Sequence, residues 1–485
     1  MSTEIVVNAA PYETRVAVVE GGAVQEIYLE RPGRRSLVGN VYRGRVMRVL
    51  PGMQAAFVDI GDRRSALLQD GTGGEARRAE NGPSLSLAAV LREGEALLVQ
   101  VRKDPLGSKG ARLTTRIRLP SRYLVREPGG EGVAVSARIA DGEERERLRR
   151  LVTELARGAS PGAWLLRTAA AGVSAAELSG EMHRLVRLSD SLVRAATTVS
   201  PPALVHEEPR LALRLLRDLP GGELTAMRVD AESLWGAARD FAAEFAPDCT
   251  DRIHYHDGAQ PIFDQYGIEE EITGALGRRV KLRSGACLVF DETEALTSID
   301  VNSGARVRGR DFASTALAVN LEAAEAIARQ LRLRNLGGII VIDFIDMAKV
   351  EHRAMVLETF RRALARDRAR SVVGEISQFG LVEMTRERNR ESLAGARSES
   401  CTICRGGGRR PTNESVCFEI YRELERLARN VAASGYLVLA ATRLVELLRG
   451  EEASNLAAVC ARIGRSVTLQ SESVYRPEQF DVVAL

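Results

Sequence analysis

The chain has 485 residues, of which 68 are Lys or Arg and 65 are Asp or Glu, for a formal net charge of +3. That length exceeds what one hydrophobic core serves and implies roughly three domains or more. A content of 45% hydrophobic and 27% charged residues is that of an ordinary soluble globular protein, which excludes a fibrous or wholly disordered chain.

No run reaches the ~18 consecutive apolar residues of a membrane span, because the longest candidate, Ile339 to Ile342, is cut by Asp343. The start, MSTEIVVNAAPYETR, has an early Glu and no signal-peptide core, so a cytoplasmic protein is expected. Four of the six Cys (Cys249, Cys287, Cys417, Cys460) are isolated, which does not make a disulfide framework. Among the basic residues 64 are Arg and four are Lys, a bias that GC-rich coding explains for the surface at large. Arg nevertheless clusters at Arg306, Arg308 and Arg310, at Arg329, Arg332 and Arg334, and at Arg386, Arg388 and Arg390. Such clusters are the electrostatic footprint of a polyanion when they line a site, and solvated faces otherwise.

Residues 1 to 34 alternate as strands (EIVVN, TRVAVVEGG, AVQEIYLER), with Glu20-Gly21-Gly22 as a tight turn. This hairpin-rich start is too short to stand alone and is expected to pair with strands supplied later. From Leu37, short β-branched runs alternate with Gly and Pro turns, and further strands are predicted at Ala96 to Arg102 and Ala111 to Thr115. Five short strands with Gly-marked bends suit an OB-type barrel, a fold that binds single-stranded nucleic acid by stacking and backbone charge. The pattern G-x-V-x-x-V-x-P-G-x-x-A-A-F-V-D-I-G resembles the S1 RNA-binding domain. Tyr42 and Phe57 are its available stacking groups, a barrel-core aromatic being the alternative for Phe57, and Lys109 is expected to contact phosphate from its setting in GSKGARLTT. Residues 71 to 86, low in apolar content, read as a mobile loop.

Residues 117 to 211 mix strands (YLVREP, GVAVSARI, AWLLRTAAAG) with amphipathic helices from Asp141 to Ala156 and from Ser174 to Val193. Asp141 with Glu144 predicts a capping box at the first. The second strand leads to Arg138 and the third to Arg167-Thr168, and two guanidiniums with a hydroxyl can hold one phosphate. Pro201-Pro202 and Pro209 mark an irregular connector, after which 211 to 275 reads as helical with one strand, ELTAMRVD.

Strands RVKLR, ACLVFDE and ALTSIDVN follow, then a helix from Asp311 to Leu333, the strand GIIVIDFID, a helix from Val350 to Arg366 and the strand VVGEIS. This alternation predicts a layered α/β or α+β domain. Two acids sit inside its apolar or β-prone runs, Asp300 and Asp343. A carboxylate buried mid-strand needs a partner, and a divalent cation shared by both would serve. Strand parity puts Asn302 on the face of Asp300, and makes Asp343 a better ligand than Asp346, three residues further on. Two carboxylates with open water positions suit hydrated Mg²⁺, and hydrolysis of a phosphodiester is the natural chemistry. Helix capping or pairing with Arg is the ordinary alternative for both acids. The five His are scattered and form no triad, and no HExxH, P-loop or GxSxG pattern competes.

Cys401-Thr-Ile-Cys404 followed by three glycines is a zinc-knuckle pattern that offers only two of the four ligands a structural zinc wants. Cys417 and another group completing the site, a redox dithiol, or two chains each giving two thiolates to one ion are the readings. The last, preferred, predicts a symmetric dimer. Cys417 itself falls in an apolar helical pattern. Residues 413 to 485 read as a small α/β appendage with helices at 414 to 432 and 440 to 449 and strands YLVLAA and SVTLQS.

Taken together, RVLPGMQAAFVDIG (48 to 61), DPLGSKGARLTT (104 to 115), ARQLRLRNLGGIIVIDFIDM (328 to 347), the CTIC knuckle and the terminal EQFDVV resemble the bacterial ribonuclease E/G family over essentially the whole chain. The resemblance implies an α+β multidomain protein. Its parts would be an RNase H-like domain split between 1–34 and 212–275, an S1 barrel at 35–116, a 5′ sensor at 117–211, a DNase I-like catalytic domain at 276–397, a zinc link at 398–412 and a small C-terminal domain at 413–485. It makes Asp300 and Asp343 the Mg²⁺ ligands with Asn302 as their orienting neighbour, and Phe57 and Lys109 part of the S1 surface. It makes Arg167 and Thr168, with Val125, Arg138 and Arg370, the pocket for a 5′-monophosphate, and Cys401 and Cys404 half of a zinc site shared between protomers. The implied activity is Mg²⁺-dependent endonucleolytic cleavage of single-stranded RNA to 3′-hydroxyl and 5′-phosphate ends. The substrates would be A/U-rich and 5′-monophosphorylated, in rRNA maturation and mRNA decay, with a homodimer, or a tetramer formed by two dimers, as the assembly. One departure is Leu67, where the family carries a second aromatic. Rival readings are a non-catalytic S1-type RNA chaperone or assembly protein, and a DNA or small-phosphodiester hydrolase.

Overall fold

The computed structural model describes residues 2–69, 91–105, 109–158, 160–218, 224–304, 312–388, 390–399, 401–404 and 406–485; the loop expected at 71 to 86 and Arg306, Arg308 and Arg310 lie outside them. The chain divides into two compact units, Met1–Ala396 and Arg397–Leu485.

The first unit opens on β1 (Thr3–Ala10), β2 (Glu13–Glu20) and β3 (Ala23–Glu30), an antiparallel meander whose turn at Gly21 and Gly22 has positive φ at both residues. Strands β4 (Val41–Leu50), β5 (Ala55–Asp59), β6 (Ala66–Leu68), β7 (Ala96–Lys103) and β8 (Arg112–Thr114) pair in the order β4-β5-β6-β8-β7. A further β4–β7 ladder closes them into a barrel, as the Gly-punctuated pattern predicts. Gly44 is obligatory in its wall, since a Cβ there would stand 2.5 Å from Val58 Cγ1.

Next come β9 (Leu119–Pro120), β10 (Leu124–Glu127), β11 (Val133–Val135) and β12 (Ala163–Leu166), a four-stranded sheet covered by α1 (Gly142–Leu155) and α2 (Ala175–Thr198) around Trp164, Leu166, Leu148 and Leu178. The capping box expected at Asp141 is half formed. Asp141 accepts from the Glu143 and Glu144 amides, but Glu144 turns to Arg147 and to the Gly172 N–H. The reciprocal box is at Ser174 and Glu177 instead. The Pro-rich connector also contains a strand, β13 (Ala203–His206), added to the barrel beside β4.

Helix α3 (Leu211–Asp218), β14 (Leu224–Val229), α4 (Glu232–Phe245), β15 (Ile253–Tyr255), α5 (Ile262–Gln265) and α6 (Ile268–Leu276) return to the N-terminal meander. There β14 pairs with β1 in parallel, giving the order β15-β14-β1-β2-β3. The opening strands thus find the partner they were expected to need, with β15 as an unforeseen edge.

The last sheet of this unit holds β16 (Arg279–Lys281), β17 (Cys287–Glu292), β18 (Leu296–Asn302), β19 (Gly338–Asp343), β20 (Ser371–Ile376) and β21 (Leu381–Arg386), ordered β16-β17-β18-β19-β21-β20. Helices α7 (Phe312–Leu333) and α8 (Val350–Leu364) connect its strands. Leu288, Phe290, Ile299, Val301, Ile340, Ile342, Val382 and Met384 bury one face of the sheet against Ala323, Ile327, Leu331, Val356 and Phe360 of these helices. The apolar run of β19 suggests burial on both faces. Only its even-numbered residues are buried, and Ile339, facing the other way, is 52% exposed. Strand β21, which has no counterpart among the predicted strands, completes the sheet.

The second unit packs α9 (Asn413–Asn430), α10 (Thr442–Arg449) and α11 (Ala453–Ile463) on a sheet of β22 (Gly435–Ala441), β23 (Ser466–Glu472) and β24 (Phe480–Ala484), with β22 central. Helix α11 and strand β24 are additions to the expected pattern.

Candidate active site and nucleic-acid surfaces

Strands β18 and β19 are parallel neighbours, and their register pairs Asp300 with Asp343. Paired residues project to one side of a sheet, here the side opposite α7 and α8, and adjacent strands stand about 4.8 Å apart. Both acids are exposed. Their burial is therefore smaller than the run of apolar neighbours suggested. The Asn302 amide, two residues along the same face, donates to Asp300 Oδ2 at 2.6 Å. Partial burial, then the charges of Asp300 and Asp346, push the Asp343 carboxyl above its ordinary value.

Asp346 lies just past the end of β19, and a Cβ on Gly380 in the β20–β21 turn would stand 3.8 Å from its Oδ1. The backbone between the two acids is clamped from behind. Asn320 of α7, fully buried, donates from Nδ2 to the Ile345 carbonyl at 2.8 Å and accepts the Ile345 N–H at 3.0 Å. Among the described residues no three His, Cys, Asp or Glu converge as a metal cage. Two register-paired carboxylates beside one amide on an open face do fit a cation that keeps most of its water.

On the barrel, register alone lines up Arg48, Phe57, Leu67, Arg112 and Lys103 across β4, β5, β6, β8 and β7. Phe57 is 37% exposed between the fully buried Ala56 and Val58. Tyr42 does not join it. It shares the inward parity of Gly44 and Val46, packs on the barrel core, and its hydroxyl accepts from Asn40 Nδ2 at 3.3 Å. Lys109 is exposed, and Gly110 follows it because a Cβ there would meet the Ser65 carbonyl oxygen at 2.1 Å.

Around β12, Thr168 Oγ1 and Ser136 Oγ stand 3.1 Å apart, and Ser136 Oγ also accepts the Arg138 N–H. The Arg138 guanidinium reaches across to the Arg368 carbonyl at 3.4 Å, and the Arg370 carbonyl accepts the Glu387 N–H at 2.8 Å. Thr168, Arg138 and the loop carrying Arg370 are thus brought together. Val125 pairs with Leu165 on the more exposed face of this sheet. Arg167 is held to one side: its Nη1 donates to the Ser121 carbonyl at 2.6 Å and to Asp218 at 2.8 Å. Burial would raise the Asp218 carboxyl, but Arg217 and Arg167 outweigh it and hold the group below the ordinary range. Asp218 and Asn320 were not singled out in the sequence. A polar residue on the buried stripe of an amphipathic helix is the signal that would have found Asn320.

In the second unit Cys401 and Cys404 form a turn in which the Gly407 N–H bonds the Cys404 carbonyl at 2.8 Å, with positive φ at Gly406 and Gly408. Hydrogen bonds from the Cys404 and Ile403 amides and from the Cys404 thiol favour the Cys401 thiolate. Cys417 is apart from them, buried in α9, where burial and the charges of Glu452 and Glu414 push its thiol up to about 11.

Comparison with known proteins places residues 118–389 in the family model described as the ribonuclease E/G family. Ribonuclease G of Escherichia coli K12 is 45% identical to this chain, and that of Haemophilus influenzae 43%, each over the full length of both proteins. Ribonuclease E of Escherichia coli K12 is 37% identical over 87% of this chain and 40% of its own length.

Proposed function

Because this chain belongs to the ribonuclease E/G family and is therefore an endoribonuclease, we propose that it hydrolyses single-stranded RNA at Asp300 and Asp343, leaving 3′-hydroxyl and 5′-phosphate ends. The observation that carries this is the register of β18 and β19, which sets two carboxylates side by side on the uncovered face of a sheet. Mg²⁺ held by Asp300 and Asp343 would polarise the scissile phosphate and lower the pKa of the attacking water. The protein's own part is positional. Asn302 fixes one Asp300 oxygen, and the Asn320 clamp holds the turn that follows Asp343. A dication held by Asp300 and Asp343 would offset the neighbouring negative charge that, after partial burial, raises the Asp343 carboxyl.

In the same reading the closed barrel grips single-stranded RNA through Phe57 and Lys109. Thr168, Arg138, Val125 and Arg370, joined by Arg167, sense a 5′-monophosphate. Cys401 and Cys404 share Zn²⁺ with a second chain in a homodimer. A/U-rich segments of rRNA precursors and mRNA are the proposed substrates, in the cytoplasm. The parts would be divided as S1 barrel, 5′ sensor, split RNase H-like domain and DNase I-like catalytic domain, followed by the zinc link and small C-terminal domain.

The test uses a labelled single-stranded RNA with Mg²⁺. Asp300→Asn and Asp343→Asn are each expected to abolish cleavage while binding persists, and excess EDTA to stop the unaltered enzyme. Full turnover in either variant or in EDTA would overturn the assignment. Binding without cleavage by the unaltered protein would favour a chaperone instead.

A further inference from the structure

The catalytic sheet can be followed across its strands as well as along them. Arg279 pairs with Val289, Val289 with Asp300, and Asp300 with Asp343. One line of residues thus carries a cation, a short aliphatic side chain and the two acids. The neighbouring line holds Lys281, Cys287 and Asn302. Val280, between the two cations, packs toward the core, which leaves Arg279 and Lys281 on the open face with the acids. Two strand spacings put the Arg279 Cα roughly 10 Å from that of Asp300.

Both cations are exposed, and neither forms a side-chain hydrogen bond or ion pair with a described residue. Their neighbour Arg278 differs, since Asp291 holds it through both carboxylate oxygens. Two acids repel a phosphate backbone, so a substrate strand needs cations near them to lie down on this face. Of the described residues on the face, Arg279 and Lys281 are in register to supply them.

We propose that Arg279 and Lys281 form a phosphate subsite that holds the RNA backbone a nucleotide or two from the bond cut at Asp300 and Asp343. The RNA then runs across the strands from β19 toward β16, over the small side chain of Val289. Arg279 grips one phosphate through its planar fork, and Lys281 offers a point charge beside it. This rests on the reading of Asp300 and Asp343 as the catalytic acids. The competing role for both residues is to keep edge strand β16 from pairing with another chain.

The experiment measures binding and cleavage separately in the full-length protein. In an Asp300→Asn background, the Kd for a single-stranded RNA is titrated against salt with and without Arg279→Gln/Lys281→Gln. The double change is expected to raise Kd about fivefold or more at low salt. It should also flatten the slope of log Kd against log salt by roughly 1.4, about 0.7 for each phosphate that is no longer neutralised. The charge-keeping pair Arg279→Lys/Lys281→Arg is expected to retain the slope. In the otherwise unaltered enzyme, the Gln variants raise KM and leave kcat within about twofold. An unchanged Kd and slope would overturn the subsite, and so would self-association of the variants with normal affinity for RNA. Cleavage surviving in Asp300→Asn would instead strike the catalytic reading, while the salt slope still reports on the two cations.

Discussion

Asp300 and Asn302 were legible as a facing pair from strand parity alone, because period two is a property of the backbone. The partnership of Asp300 with Asp343 was not legible in the same way. Parity says which side a residue faces, and only pairing says which strand lies beside it. Tyr42 shows the converse error, an aromatic in a barrel pattern that faces in. Asn320 shows what a single buried amide contributes: it satisfies both backbone groups of Ile345, between Asp343 and Asp346. Asn320→Ala leaves those groups unpaired, at a cost of about 1–3 kcal/mol in stability. Since the freed turn lies beside the acids, cleavage is expected to fall most at subsaturating Mg²⁺. A Mg²⁺ titration of cleavage beside a thermal melt checks both, and loss of stability with an unshifted titration would leave Asn320 a purely structural residue.

Elements with strong periodicity followed the sequence closely, whereas β13, β15, β21, β24 and α11 did not announce themselves. Short strands take their state from a partner elsewhere in the chain. The alternation of LVEMTR in β21 is broken to the eye by Arg386 at an inward position, where Asp367 holds it at 2.6 Å. Helix α7 is tied to the N-terminal meander in a similar way. Arg332, 4% exposed, donates to Glu20 at 2.6 Å and to Glu26 at 2.8 Å. Burial would raise the Glu26 carboxyl, but Arg368, Arg332 and the Tyr28 hydroxyl hold it below its ordinary value. A carboxyl lowered in the folded state stabilises above its unfolded value, and that contribution disappears as pH falls through the folded one. Arg332→Met is expected to cost about 3–5 kcal/mol near neutral pH, because it strands buried carboxylates. With Arg368 and the Tyr28 hydroxyl alone left to oppose burial, the Glu26 carboxyl is lowered less, and the variant is expected to lose less of its remaining stability than the unaltered protein as pH falls. Urea midpoints for both proteins between about pH 4 and 8 decide this.

At the scale of the molecule, the loop that carries Arg368 and Arg370 is fastened to the β16–β21 sheet by the Asp367–Arg386 pair and meets Arg138, just past β11 of the β9–β12 sheet. Under the proposed function, recognition of a 5′ end and the cutting of a bond would thus be mechanically adjoining. Arg167→Ala is expected to erase the preference for 5′-monophosphorylated over 5′-hydroxyl RNA while cleavage of the latter persists, as measured by the ratio of the two kcat/KM values. An unchanged ratio would remove Arg167 from the sensor. Composition and motif spacing could suggest such a pocket but could not show that Asp218 already engages its guanidinium, since Asp218 sits 51 positions away. The parallel pairing of β18 with β19 has a consequence of its own. Such a pair needs a crossover, here through α7, so Asp300 and Asp343 meet only after the 43 positions between them (343 − 300) have been folded back. Pairings of that kind form late, after the loop-closure entropy has been overcome. The repulsion between the carboxylates therefore arises only once that crossover has closed. A chain interrupted between residues 300 and 343 holds half a site, and whatever the two acids can cut is safe until the domain around them is built.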